Sequence, residues 1–266
     1  MIDPWRRPAV RFAQRACVFV ALLGAGCNES ASIPKAPTAI FGELGLGPGK
    51  FKYPRSITAD ETNLFVVDKT GRVQRFSEDG AFQGEWMMPN IEHGMPVGLK
   101  VHPDGRVFVA DTHCSRVMIF SRDGEALGSF GSEGLELGQF QLPTDLAFDK
   151  SGNIYVGEYR ANDRITKWSS DLRPVAVIGE APIEGSRLSR PAGLCFDDED
   201  TLWVADACNH RIQVFDKNLT YIREITQPDW NPWDIAISRK GSNGVAFIAD
   251  HTSETIQKIS LKGSLF

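Results

Sequence analysis

The segment Pro191-Ala192-Gly193-Leu194, followed by Leu202-Trp203-Val204-Ala205-Asp206, decides the fold because the chain repeats it. The same opening phrase recurs as Pro54-Arg55-Ser56-Ile57, Pro96-Val97-Gly98-Leu99, Pro143-Thr144-Asp145-Leu146 and Pro232-Trp233-Asp234-Ile235. An apolar phrase follows each opening and ends in an acidic residue, namely Asp68, Asp111, Glu158, Asp206 or Asp250. Successive opening prolines lie 41 to 48 residues apart. A period of roughly 40–45 residues with several short strands per unit is typical of blades arranged around an axis.

The second unit indicates how one repeat folds. Short apolar strands are predicted over 98–101, 106–110, 116–120 and 127–130, and polar turns separate them. Glycine, aspartate and serine favour chain reversal in the turns, whereas runs rich in valine and phenylalanine favour strands. We therefore predict an all-β fold, a β-propeller of five four-stranded antiparallel blades. A six-bladed propeller that is incomplete in this chain is the alternative.

The two ends of the repeated region bear on how the ring closes. In the fifth unit the segment 259–263 aligns with 120–124 of the second unit, and a fourth strand does not follow it. The missing strand has a counterpart before the first unit, where 38–42 matches 127–131. We expect residues 38–42 to supply the outer strand of the last blade, because closure of the ring removes exposed sheet edges.

Two strings resemble the NHL repeat: FVADTHCSRVMIF at 108–120 and, more closely, WVADACNHRIQVF at 203–215. The segments GKFKYP at 49–54 and GQFQLP at 138–143 look like the linker between blades of that family. The resemblance covers roughly residues 40–266 and implies a propeller. It leaves the activity open, because NHL propellers serve as enzymes, sensors and docking platforms.

The N-terminal residues are typical of a targeting signal. Arginines 6, 7, 11 and 15 precede the apolar run 16–26, which is too short to span a bilayer. The run ends at Cys27 and resembles a bacterial lipoprotein signal, in which the cysteine is lipidated after cleavage; an ordinary secretory signal is the alternative. We predict a signal peptide at 1–26, a flexible tether at 27–37, rich in Ser, Ala and Pro, and the propeller at 38–266. The expected location is the bacterial cell envelope, as an outer-membrane lipoprotein or an otherwise exported protein.

Composition limits the partners. The net charge is −5 at pH 7 and no basic stripe occurs, so a nucleic-acid partner is not expected. Removal of the signal and lipidation of Cys27 leave Cys114, Cys195 and Cys208, an odd number that implies at least one unpaired thiol. No Cys-x-x-Cys or His-x-x-x-His spacing occurs, and the sequence predicts no metal site and no cofactor.

The acidic residue and the arginine that recur in most units are interpreted as structural. We expect Asp111, Asp206 and Asp250 to accept backbone N–H bonds within their turns. We expect the arginines to lie across the next strand and pair with nearby acceptors; these are Arg116, Arg164 and Arg211.

Function should therefore lie where the units differ, which is next to the opening prolines. The first hypothesis is a non-enzymatic platform that binds a protein, peptide or glycan at the funnel mouth and is attached to a membrane through its lipid. The candidate binding residues are Arg55, Val97, Thr144, Asp145, Trp233 and Asp234. The alternative is that these side chains merely fill the channel. Trp233 is the best single candidate, because a rigid aromatic offers a large contact area at low entropic cost.

The second hypothesis is an enzyme similar to metal-dependent amidating lyases or calcium-dependent lactonases, which are related propellers. A lyase-type metal would need about three convergent ligands, for which His113, His210 and His251 occupy related turns. A lactonase-type site would use Asp145, Asp234 and Glu158.

Overall fold

The computed structural model describes residues 39–93, 95–161, 163–179, 187–238 and 244–262. The chain divides into two units, 1–41 and 42–266, and the described residues of the first, 39–41, belong to no helix or strand. The predicted signal peptide, Cys27 and the tether lie outside the described residues. Short 3-10 helices occur at Ile91–His93, Thr112–Cys114 and Ala207–Asn209. No helix in the described part of the chain is long and apolar enough to cross a membrane.

The second unit consists of β-strands in chain order. A two-residue pair, β1 (Glu43–Leu44) and β2 (Lys50–Phe51), comes first. Blade 1 contains β3 (Pro54–Ala59), β4 (Asn63–Asp68), β5 (Arg72–Ser77) and β6 (Phe82–Met87). Blade 2 contains β7 (Gly98–Val101), β8 (Val107–Asp111), β9 (Arg116–Phe120) and β10 (Ala126–Phe130). Blade 3 contains β11 (Leu142–Phe148), β12 (Ile154–Tyr159), β13 (Arg164–Trp168) and β14 (Pro174–Ile178). Blade 4 contains β15 (Pro191–Phe196), β16 (Leu202–Asp206), β17 (Arg211–Phe215) and β18 (Tyr221–Thr226). Blade 5 contains β19 (Pro232–Ser238), β20 (Val245–Asp250) and β21 (Thr255–Ser260).

The predicted all-β propeller with five antiparallel blades is confirmed. Each blade pairs its strands in chain order, and the innermost strands of consecutive blades contact one another, from β3 through β7, β11 and β15 to β19. Blades 1 to 4 have four strands, and blade 5 has three within the described residues. Residues 39–42 carry no strand assignment, and closure of the ring by 38–42 stays a prediction.

The core lies between adjacent blades. The second strand of a blade is covered on both faces, so every residue of β4, β8 and β16 is buried. Between blades 2 and 3, the linker residue Phe140 packs on Trp168 with 5.4 Å between ring centroids and on Phe130 with 6.2 Å. A fully buried Phe stabilises a fold by roughly 1.5–3 kcal/mol. The repeated Gly-x-Phe-x-x-Pro linker thus fastens one blade to the next.

The recurring acid and arginine have the structural role that was predicted. Asp206 pairs with Arg211 at 2.8 Å and Asp111 with Arg116 at 2.9 Å. In blade 5 the amide of Gln257 replaces the arginine and donates to Asp250 Oδ2 at 3.1 Å. These contacts lie inside one blade, which explains why the residues recur in each unit.

One detail of this prediction is wrong. Asp111 and Asp206 make no capping hydrogen bond to the 3-10 helix that follows each of them, whereas Asp250 accepts the N–H of Thr252 at 3.2 Å. The Asp206 carboxylate is instead shared between Arg211 and the preceding linker, where the Ser189 N–H donates to it at 2.6 Å. The repeated acid therefore holds the linker that enters the blade.

Candidate functional site

The residue after the opening proline lies on a β-bulge in four of the blades. The register of the inner pair shifts at Arg55, at Thr144-Asp145, at Ala192 and at Trp233. A bulged residue is left out of the hydrogen-bonded ladder, and bulges re-aim side chains. These positions can therefore vary between units without loss of strand pairing. We call the end of the ring at which the innermost strands β3, β7, β11, β15 and β19 begin the mouth face.

The structure separates the predicted binding residues by exposure. Arg55, Trp233 and Asp234 are exposed and Val97 is half-buried, whereas Thr144 and Asp145 are buried. The Thr144 hydroxyl lies 2.8 Å from the Pro191 carbonyl and 3.0 Å from the Gly157 carbonyl, so it bridges blades 3 and 4. Thr144 thus serves the packing of the ring.

Trp233 belongs to a group of stacked side chains on the mouth face, which we call the arginine–aromatic cluster (Tyr159, Arg190, Trp233 and His251). The guanidinium carbon of Arg190 lies 4.4 Å from the centroid of the Trp233 ring and 4.9 Å from that of Tyr159. The rings of Trp233 and His251 are 5.2 Å apart. Tyr159 ends β12, Arg190 directly precedes β15 and Trp233 is the second residue of β19. The cluster therefore joins three successive blades.

Asp145 and Asp234 belong to a second group, the channel cluster, together with Lys100 of β7. The Lys100 ammonium lies 3.4 Å from Asp145 Oδ2, and the same oxygen accepts the Leu194 N–H at 2.9 Å. Burial, together with the charge of Asp234, raises the pKa of Asp145 to about 6, although Lys100 acts in the opposite direction. Burial disfavours the charged lysine, but Asp145 and Asp234 raise the pKa of Lys100 above its ordinary value.

Two glycines make room for these groups on the inner strands. A Cβ on Gly98 would lie 2.2 Å from the Thr144 carbonyl oxygen, and one on Gly193 would lie 2.6 Å from Asp234 Oδ1. Glycine is needed where backbones approach this closely. The channel cluster thus depends on the two glycines of the opening phrases.

The residues considered for an enzyme have other contacts. His113 Nδ1 accepts the Met95 N–H at 3.2 Å, His210 Nδ1 contacts the Trp230 carbonyl, and His251 stacks on Trp233. Glu158 is buried and bound by Arg164 and by the Gln141 N–H. Among the residues that the structure describes, no group of three or more His, Cys, Asp or Glu side chains could hold a metal ion. The positive charge that faces Asp145 and Asp234 is the Lys100 ammonium.

Sequence reasoning missed Lys100 and Arg190. Lys100 is the one charged residue in the otherwise apolar strand 98–101, and this was an available signal. Arg190 stands directly before an opening proline, where the other units have Tyr53, Met95, Leu142 and Asn231. The position before the proline therefore varies as much as the position after it.

The chain is similar to several known proteins. The sequence model of the NHL repeat matches residues 188–215. Human NHL repeat-containing protein 3 is 27% identical over 207 residues, which are 73% of this chain and 57% of that protein. The probable peptidyl-alpha-hydroxyglycine alpha-amidating lyase pgal-1 of Caenorhabditis elegans is 31% identical over 133 residues, 47% of this chain and 38% of that protein. A solved streptogramin B lyase structure superimposes with a TM-score of 0.65 at 16% identity, covering 85% of this chain and 71% of that chain. The chain thus spans little more than half of its human relative, and the structural similarity concerns the fold alone.

Proposed function

The chain is an NHL-repeat β-propeller whose repeated residues hold the blades together, and we propose that it is a platform that binds a protein, peptide or glycan at its mouth face. The observation that carries the proposal is the exposure of Trp233. Its side chain is 38% exposed on a bulge at the start of an innermost strand, whereas Trp203 and Trp230 are buried. Contact with Arg190 and His251 limits the motion of the ring. Rigid aromatic residues of this kind dominate the energy of many interfaces.

Replacement of Trp233 tests the proposal. The purified protein is applied to peptide and glycan arrays, and each ligand that binds is titrated against wild type and Trp233→Ala. We expect Trp233→Ala to weaken binding by about 2 kcal/mol, or roughly thirtyfold, and to leave the thermal unfolding transition unchanged.

Tyr221→Ala is the matched control. Tyr221 is 37% exposed, as Trp233 is, but it lies on the outermost strand of blade 4. Equal losses in the two variants contradict the proposal, as does an array screen in which no ligand depends on Trp233. Unfolding of Trp233→Ala assigns the side chain to the core instead.

We also propose that the platform is exported and attached to a membrane through a lipid on Cys27. The support is the positively charged and apolar sequence that precedes Cys27. Multiple acyl chains hold a protein firmly, whereas one short chain does not. Fractionation of the expressing cells should find the wild type with membranes and Cys27→Ser in the soluble fraction. Soluble wild-type protein after export contradicts the anchor.

A propeller enzyme of the amidating-lyase type is the second candidate, supported by the similarity to the worm protein. The assay incubates the purified protein with a peptidyl-α-hydroxyglycine and measures the amidated product, and elemental analysis measures bound metal. Turnover together with stoichiometric metal replaces the binding proposal, and the absence of both excludes this candidate.

A further inference from the structure

We propose that Arg190 binds a carboxylate group of a peptide ligand, with Tyr159 and Trp233 holding the guanidinium in position. The inference rests on the proposed binding function and names the chemistry that the mouth face recognises. A guanidinium pairs with a carboxylate through two parallel N–H···O bonds, which gives both strength and orientation.

The first argument is the lack of acceptors around Arg190. Within the described ranges, neither a carboxylate nor any other acceptor lies within hydrogen-bonding distance of its guanidinium, although the group is half-buried. The Tyr159 hydroxyl and the Trp233 indole N–H also have no partner in this part of the chain. Three donor groups thus come together and need oxygen atoms from a ligand or from water.

The other arginines of the blades provide a contrast. Arg211 is bound by Asp206, Glu224 and the Arg187 carbonyl, and Arg72 donates to Asp68 and to carbonyls of the segment 46–50. These arginines are used by the fold. Arg190 stands at a position that has no arginine in the other units, and its charge is not neutralised by a described residue.

The second argument is the rigidity of the mount. The backbone of Arg190 has φ of 58°. Its carbonyl accepts the Ala207 N–H at 3.2 Å, and the preceding Ser189 is bound to buried Asp206. Two aromatic rings flank the side chain, so most of its rotamer freedom is lost before a ligand arrives. A preorganised guanidinium loses less entropy for each hydrogen bond it forms.

The same stacking favours a peptide over a glycan. Arg190 lies over the Trp233 ring, so this part of the indole face is unavailable for stacking on a sugar. What the cluster offers instead is a set of hydrogen-bond donors around one positive charge. The nearest acidic neighbour in sequence, Asp234, interacts with Lys100 in the channel cluster and does not neutralise Arg190.

The test has a small-molecule arm and a peptide arm. In the first, sodium acetate is titrated into the isotope-labelled protein, and the side-chain Nε–H resonances of Arg190 and Arg211 are followed by NMR. We expect a saturable shift at Arg190 and none at Arg211. In the second, a pool of random tetrapeptides with free C-terminal carboxylates is compared with the same pool in amidated form. We expect wild type to retain the carboxylate pool about tenfold better, in line with a charge-assisted pair.

The variants make the result decisive. Arg190→Gln should abolish the difference between the pools, Arg190→Lys should restore part of it, and Arg173→Gln should leave it unchanged. Arg173 is the matched control because it pairs only with Asp171 and is 81% exposed. A carboxylate preference that survives in Arg190→Gln overturns the inference, as does tighter binding of inorganic phosphate or of uronic acid oligosaccharides. If Trp233→Ala abolishes binding while Arg190→Gln does not, the platform stands and the carboxylate site fails. If neither variant changes binding, both fail.

Discussion

At the scale of single residues, the channel cluster sets Asp145 apart from the other acids of the ring. Burial and the charge of Asp234 raise the pKa of Asp145 to about 6, from an ordinary 3.8. Asp104 behaves in the opposite way: burial acts against ionisation, but hydrogen bonds from Arg106 lower its pKa to about 2. The folded protein therefore holds a proton on Asp145 more tightly than the unfolded chain does.

This difference predicts a pH dependence of stability. The contribution of Asp145 is present in full below pH 3.8 and is lost as the pH rises to about 6. Removal of the ionisable group by Asp145→Asn should therefore make the variant gain stability relative to wild type between pH 4 and 7, by on the order of 1–3 kcal/mol. Urea unfolding at several pH values measures this. Asp104→Asn is the control and should change in the opposite direction; parallel curves for wild type and Asp145→Asn contradict the assignment.

At the scale of elements, the innermost strands approach one another so closely that they require glycine. Gly98→Ala places a methyl group 2.2 Å from the Thr144 carbonyl, so β7 and β11 must move apart. Overpacking of this kind lowers the free energy of unfolding by about 1–3 kcal/mol. In contrast, Gly84→Ala in β6 would meet no atom within 4 Å and should be neutral. Chemical denaturation of the two variants compares them, and equal effects would show that the inner strands have space to spare.

The sequence predicted the elements well, because their signals are local. In blade 2 the strands predicted over 106–110 and 127–130 occur at Val107–Asp111 and Ala126–Phe130. It did not reveal that Thr144 turns away from the channel to bridge Gly157 and Pro191, because that contact is between blades. The stacking of Arg190 on Trp233 likewise depends on how the ring curves, and a repeat pattern in one unit contains no information about it.

At the scale of the whole molecule, the structure supports the equivalence on which ring closure rests. A Cβ on Gly42 would lie 2.4 Å from the Phe51 ring, and one on Gly131 would lie 2.3 Å from the Phe140 ring; both glycines have φ of 84°. Gly131 directly follows β10, the outer strand of blade 2. By this equivalence, the segment before Gly42 corresponds to the outer strand of the blade that precedes blade 1, and in a five-bladed ring that is blade 5.

Closure by residues 38–42 predicts that this short segment stabilises the whole ring. Phe41 corresponds to buried Phe130 and is itself half-buried, whereas its neighbour Ile40 is 71% exposed. Phe41→Ala should therefore lower the free energy of unfolding by about 2 kcal/mol, in line with the loss of a buried aromatic, and Ile40→Ala should have little effect. Deletion of 38–42 should also increase hydrogen exchange in β21, because an unpaired edge strand loses its protecting hydrogen bonds. Deletion of 28–32 only shortens the predicted tether and serves as the control. If removal of 38–42 changes neither the unfolding free energy nor exchange in β21, the ring does not close through its N-terminal strand, and blade 5 must find its fourth strand elsewhere.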